Sequence, residues 1–154
     1  MAQVTQAAIL PSMREATIAY GIDGTTFATD LSGHACSIAP SGGDRETGEA
    51  YTFTGDTALM GYGKRTPTDY TIRVLYTEVN TDPFQVVRAA YENATACYLR
   101  VSPKGGQAGE WLWTSSQGIF SLVPEPAGEA NSGDPVAVEA TFRCAYWTKT
   151  NAAS

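Results

Sequence analysis

The sequence predicts a mostly β domain, a sandwich or barrel of about seven to nine strands with one flanking helix. Two observations predict this fold class. Apolar and polar side chains alternate along several short segments, most clearly at 69–79 and 135–148. A single segment with helical spacing, at about 82–93, lies between two groups of strands, and no βαβ unit repeats along the chain.

The predicted strands follow one another at short intervals. The first lies within 15–22, where Ile18, Tyr20 and Ile22 alternate with small or polar residues, and Asp23-Gly24 then signals a turn. Residues 27–31 are either the return strand of a hairpin or a loop. The other strands are expected within 33–40, 69–79, 95–103, 109–116, 118–125 and 135–148, the last as one long strand.

The predicted helix has clear signals at its start. Asp82 suits the N-cap, Pro83 suits the first helical position, and Gln85 can complete a capping box. Phe84, Val87 and Tyr91 recur at helical spacing, so this face is expected to pack on a sheet.

The remaining segments divide the chain. Residues 1–14 are polar and alanine-rich, and Pro11 would interrupt a helix there. They are expected to form an N-terminal arm. The β domain is expected to span 15–148, and 149–154 to be a short C-terminal tail. The segment 41–68 is rich in glycine, threonine and charge without a strong core signal, which predicts a long loop.

Composition excludes several classes of function. Charged residues make up 17% of the 154 residues, against about 25% in ordinary domains. This deficit favours a surface that meets protein. The net charge of -6 argues against a nucleic-acid-binding protein. The N-terminus lacks the pattern of a signal peptide, and no apolar run is long enough for a membrane span, so we expect synthesis in the cytosol.

No catalytic, metal or cofactor site is predicted. His34 is the one histidine, and only Cys36 lies close to it in sequence, so a nucleophile and base could use no other pair. A structural zinc site would need four ligands at suitable spacing, which the chain does not offer. Cys36, Cys97 and Cys144 are expected to be buried thiols, because each lies in an apolar segment.

The tryptophans allow two interpretations. Trp111 and Trp113 share one face of a predicted strand, which is the geometry of a sugar-binding platform. Core packing or a subunit contact is the favoured alternative, since aromatic residues are enriched at protein interfaces.

The order of elements in the second half resembles that of a known family. A strong strand (DYTIRVLYTEV) is followed by a helix starting at DPF and a strand ending in RVSPKGG. A strand bearing tryptophans, the segment GIFSLVPEPAGEANSGDPVAVEATF and a closing strand complete the order. This order resembles the major tail protein, or tail-tube subunit, of long-tailed bacteriophages, over roughly 15–148 and best over 69–148.

The resemblance implies a structural subunit of the virion, made in the host cytoplasm. Such subunits form hexameric rings around a DNA channel, and the rings stack through the arm, the long loop and the tail. The implied partners are copies of the chain, a tape-measure protein and tail-tip or terminator proteins, with DNA passing unbound through an acidic lumen. The expected charged contacts between rings are Asp44, Arg45, Glu46, Glu49, Lys64 and Arg65.

Two alternatives stay open at this point. A subunit of a related secretion tube or a tail terminator would have a similar sequence pattern. A β-sandwich binding module, such as a carbohydrate-binding or adhesin-like domain, would instead expose Trp111 and Trp113 to a ligand.

Overall fold

The computed structural model describes residues 12–153, and this part of the chain is mostly β with one α-helix, as predicted. A short 3-10 turn at Met13–Glu15 comes first. The elements are β1 Thr17–Gly21, β2 Thr29–Asp30, β3 Ala35–Gly42, β4 Arg45–Ala50, β5 Leu59–Arg65, β6 Thr68–Leu75, α1 Pro83–Glu92, β7 Tyr98–Ser102, β8 Trp111–Ser115, β9 Gly118–Leu122, β10 Ala137–Cys144 and β11 Trp147–Asn151.

Two antiparallel sheets form the body of the domain. The five-stranded sheet has the order β11-β8-β7-β1-β2, and the four-stranded sheet has the order β3-β6-β10-β9. Successive side chains of a strand point to opposite faces, which accounts for the alternating burial along β1, β6 and β10.

A single core lies between these sheets. Ile18 and Leu99 from the five-stranded sheet share one buried cluster with Ile72 and Phe142 from the four-stranded sheet. Aromatic rings bridge the layers, since Tyr20 on β1 lies 6.3 Å from Phe120 on β9 between ring centroids. The sandwich that the sequence predicts is therefore present.

The helix α1 covers the same core. Phe84, Val87 and Ala90 are buried, and Phe84 meets Tyr76 edge to face at 5.0 Å. The predicted capping box is wrong. The side chain of Asp82 makes no capping hydrogen bond, and Gln85 Nε2 donates instead to the carbonyl of Thr77 at 2.8 Å.

The predicted long strand at 135–148 is two strands in different sheets. β10 ends at Cys144, and β11 starts at Trp147 as an edge of the other sheet. Ser116 fixes the crossing, because its Oγ accepts the N–H groups of Ala145 and Tyr146 at 3.1 and 3.2 Å. Residues 149–151, expected to belong to the C-terminal tail, are part of β11.

The segment 41–68 is a β-hairpin, where a long loop was predicted. Within the part of the chain that the structure describes, β4 and β5 pair only with each other, and every residue of both strands is exposed. The pairing of β3 with β6 continues into this hairpin, since Gly43 N–H donates to Pro67 O and Thr66 N–H donates to Asp44 O. Gly42, at φ +73°, bends the ribbon at this junction.

The structure describes only part of the chain's N-terminal segment. Residues 1–11 of the predicted arm fall outside the described residues, and within 12–153 no helix is long and apolar enough to cross a membrane.

Candidate assembly interfaces

The one catalytic pair considered from sequence does not form a site. Cys36 is the extra residue of a β-bulge, because Ala35 pairs with Val74 while Ser37 pairs with Arg73. The bulge leaves Cys36 exposed, so the prediction of a buried thiol is wrong for this residue. The Nδ1 atom of His34 is buried and has no hydrogen-bond partner among residues 12–153.

The other two cysteines are buried as predicted. Burial raises the pKa of the Cys97 thiol to about 12 and also raises that of Cys144. A thiol with such a pKa is protonated near neutral pH and is a poor nucleophile. Within residues 12–153, no three His, Cys, Asp or Glu side chains are placed to hold a metal ion.

The four-stranded sheet has two open edges. Among the described residues, β3 pairs only with β6. β9 pairs with β10, and on its other side only Gly118 is bridged, by two hydrogen bonds with Cys97, so the edge is open from Ile119 onward. An unpaired edge presents N–H and C=O groups that can extend the sheet into another chain. The exposed side chains Ile119 and Leu122 lie on the β9 edge, so this edge is partly apolar.

One face of the four-stranded sheet packs on the core, and the other is uncovered over most of its length. The uncovered face carries short or hydroxylated side chains, the apolar Ile119 and Leu122 on β9, and all four charged residues of these strands. The charged residues are Asp69, Arg73, Glu139 and Arg143. The charges face one another in cross-strand register, Arg73 with Glu139 and Asp69 with Arg143. In the second pair, Arg143 Nε lies 3.7 Å from Asp69 Oδ1.

The loop at 127–135 lies at one end of that face. Together with Arg73 it encloses a cavity of about 400 Å³, which Glu129 and Asp134 also line. This end is therefore acidic, whereas the strands themselves carry equal numbers of both signs.

The hairpin exposes the six charged residues predicted from sequence. Arg45, Glu46 and Glu49 lie on β4, Lys64 and Arg65 lie on β5, and Asp44 precedes β4. None of the six forms an ion pair within residues 12–153. Arg45 Nη1 donates to the carbonyl of Gly63 at 3.1 Å, and Arg45 is the cross-strand neighbour of Arg65.

Sequence reasoning missed the apolar character of the hairpin. Five large side chains on it are more than half exposed, and Phe53 near its tip is fully exposed. They are Tyr51, Phe53, Leu59, Met60 and Tyr62. Their number within one hairpin was the available signal, because water-exposed apolar side chains grouped together mark a surface that meets a partner.

The two tryptophans on β8 are exposed, and the ammonium group of a lysine lies over their rings. Lys149 Nζ lies 3.9 Å from the ring centroid of Trp111 and 5.7 Å from that of Trp113. Trp113 pairs with the core residue Val101, so both rings are on the inner face of the five-stranded sheet, beyond the part that the core covers. The platform predicted from sequence exists geometrically, but its rings already hold a cation.

This architecture defines the chain as a β-sandwich with one flanking helix, open sheet edges and a projecting hairpin, which is the fold of tail-tube and tube-terminator proteins. The terminator of an extracellular contractile injection system (PVC) has a TM-score of 0.66 at 17% identity, with 94% of this chain and 99% of that chain covered. The tube-terminating cap of the anti-feeding prophage has a TM-score of 0.65 at 13% identity, covering 98% and 97%.

A tail tube is equally similar. The SPP1 tail-tube protein has a TM-score of 0.65 at 10% identity, with 94% of this chain and 81% of that chain covered. No protein-family model matches the chain, and no curated protein sequence matches it. The likeness therefore rests on the three-dimensional fold, which confirms the tail-tube resemblance of the sequence at that level.

Proposed function

We propose that the chain is a structural, non-catalytic subunit that assembles with copies of itself into stacked rings of a phage-like tail tube. The observation that carries this proposal is the four-stranded sheet, whose edge strands β3 and β9 are open along their outer sides except for the bridge of Gly118 with Cys97. Pairing β3 of one copy with β9 of the next continues the sheet, and repetition closes a ring without free edges.

A ring of six copies is supported by a related fold. The tail of a gene transfer agent particle, described with C6 symmetry, has a TM-score of 0.61 at 12% identity, covering 86% of this chain and 95% of that chain. The contact of β3 with β9 of the next copy joins two different surfaces, so it is heterologous. The rotation from one copy to the next therefore decides whether the ring closes.

The hairpin is the proposed contact between stacked rings. Its exposed apolar side chains need cover, and its six charged residues can pair with charges of the next ring. In the tube, DNA would pass through the lumen, and a tape-measure protein and tail-tip or terminator proteins would be the other partners. The subunit would then belong to the virion after synthesis in the host cytoplasm.

Electron microscopy of the purified protein at rising concentration tests ring formation. Rings or hollow tubes are expected, and Leu122→Lys on the β9 edge should abolish them, because an edge lysine blocks strand addition. Ile22→Lys is the matched control, since Ile22 is also apolar and exposed but follows β1, a strand of the five-stranded sheet. Equal ring formation by both variants would overturn the edge contact.

A tube terminator is the second candidate, favoured by the likeness to two terminating proteins. A terminator would form single rings that do not grow with concentration. Tubes of variable length identify a tube subunit, whereas rings that never stack identify a terminator.

A further inference from the structure

We infer that the uncovered face of the four-stranded sheet, which lines the channel of the proposed tube as its wall, has balanced charge along its strands and an acidic rim at one end. The inference rests on the proposed function, because a wall exists only where rings form. It names the surface that passing nucleic acid meets.

The direction of this face follows from the two layers of the subunit. The five-stranded sheet and α1 both cover the core face of the four-stranded sheet. When edge pairing closes the four-stranded sheets into a barrel, the covered side carries a second layer that needs a larger circumference. That layer therefore lies outside, and the uncovered face lies inside.

The side chains of this face suit a surface along which a polymer slides. On β3 and at the centres of β6 and β10 they are short, with Ser37, Ala39 and Ser41 beside Thr71 and Thr141. Large aromatic rings, on which bases stack, are absent from the outward positions of the four described strands.

The charges of the wall cancel within each subunit. Arg73 faces Glu139, and Asp69 faces Arg143, so each arginine that could bind a phosphate has a carboxylate opposite it. The net charge of -6 consequently does not reside on the wall. Glu129 and Asp134 place part of it at one end of the face, where they form the rim. On this inference the lumen has a neutral wall with an acidic rim, whereas an acidic lumen was expected from the sequence.

The position of the wall can be tested by cysteine labelling of assembled tubes. The background is Cys36→Ser, because Cys36 is the exposed native thiol. Thr71→Cys places a thiol on the wall, and Thr150→Cys places the matched thiol on exposed β11 of the outer sheet. A polymer-linked maleimide should label both in dispersed subunits but only Thr150→Cys in tubes. Labelling of both in tubes would overturn the inference while leaving tube formation intact.

The charge balance can be tested with two neighbouring residues of opposite sign. Glu139→Gln leaves Arg73 uncompensated, and Arg73→Gln leaves Glu139 uncompensated on the same face. Tubes of Glu139→Gln should retain a single-stranded oligonucleotide, protect it from nuclease and lose it at high salt. Wild-type and Arg73→Gln tubes should retain none. Retention by wild type, or none by Glu139→Gln, would overturn the balanced wall, whereas a wild-type protein that forms no rings would refute the proposed function itself.

Discussion

Tyr70 on β6 and Trp147 on β11 lie with their ring centroids 4.3 Å apart, and this contact joins the two sheets. Trp147 also meets Phe142 on β10 edge to face at 6.4 Å. The indole lies just after the crossing at residues 145–146, so it holds the strand of one sheet against the core strands of the other.

Replacing this indole should destabilise the subunit. We expect Trp147→Ala to lower the free energy of unfolding by about 2–4 kcal/mol, because a half-buried ring and its aromatic contacts are lost. Urea unfolding of dilute, unassembled protein measures this. Phe53→Ala is the control, with an expected loss of less than about 1 kcal/mol, because this ring is fully exposed. Equal losses would mean that Trp147 does not join the sheets.

Substituting alanine for glycine should affect stability differently at two positions in strands, Gly118 and Gly48. A Cβ at Gly118 would lie 2.3 Å from the carbonyl oxygen of Arg143, whereas at Gly48 it would meet nothing within 4 Å. Gly118→Ala should therefore lose about 2 kcal/mol or more, since the β9–β10 pairing must shift, and Gly48→Ala should stay within about 0.5 kcal/mol. Thermal unfolding of the two variants side by side checks the difference. A stable Gly118→Ala protein would contradict the close approach of β9 to β10.

Local patterns predicted the elements that bury one face. β6, β10 and α1 repeat their apolar residues at the period of a strand or helix, and Ile72, Val74, Phe142 and Val87 are buried accordingly. The hairpin could not be predicted in this way, because neither of its faces is buried and alternation carries no signal without burial.

The crossing between β10 and β11 was also hidden from sequence reasoning. Alternation continues through Phe142, Cys144 and Tyr146, yet Tyr146 is 54% exposed. The crossing depends on Ser116, which is distant in sequence and holds the backbone there by its hydroxyl group. Likewise, the charge balance of the uncovered face depends on the register of β6 with β10, which no local pattern encodes.

The three cysteines should differ in reactivity. Cys36 is exposed in a bulge, whereas Cys97 and Cys144 are buried. A colorimetric thiol reagent should therefore modify one cysteine per native, unassembled chain and all three after denaturation. Cys36→Ser should abolish the native reaction. Fast native labelling of that variant would contradict the burial of the other two thiols.

Alkaline pH should destabilise the fold through Cys97. Burial raises the pKa of its thiol from about 9 to about 12, so the folded state retains a proton that the unfolded state releases. The stability that this proton contributes is complete below about pH 9 and is lost as the pH rises toward 12. Between pH 9 and pH 12 the free energy of unfolding, measured by denaturant titration at each pH, should fall less steeply with pH for Cys97→Ala than for wild type. Parallel curves would show that Cys97 is not the group responsible.

The hairpin should be dispensable for folding and required for stacking. Residues 44–66 can be replaced by a two-residue Asn-Gly turn, because the N–H of Gly43 already reaches the carbonyl of Pro67 at 3.2 Å. No buried side chain is removed, so the thermal midpoint of the subunit should change by only a few degrees, about the effect of 1 kcal/mol or less. Electron microscopy should show rings that no longer grow into tubes. Phe53→Ser, which keeps all six charged residues of the hairpin, separates the apolar contribution from the charged one. Shorter tubes from Phe53→Ser would assign stacking to the exposed apolar side chains, whereas long tubes from the shortened chain would refute the stacking role of the hairpin altogether.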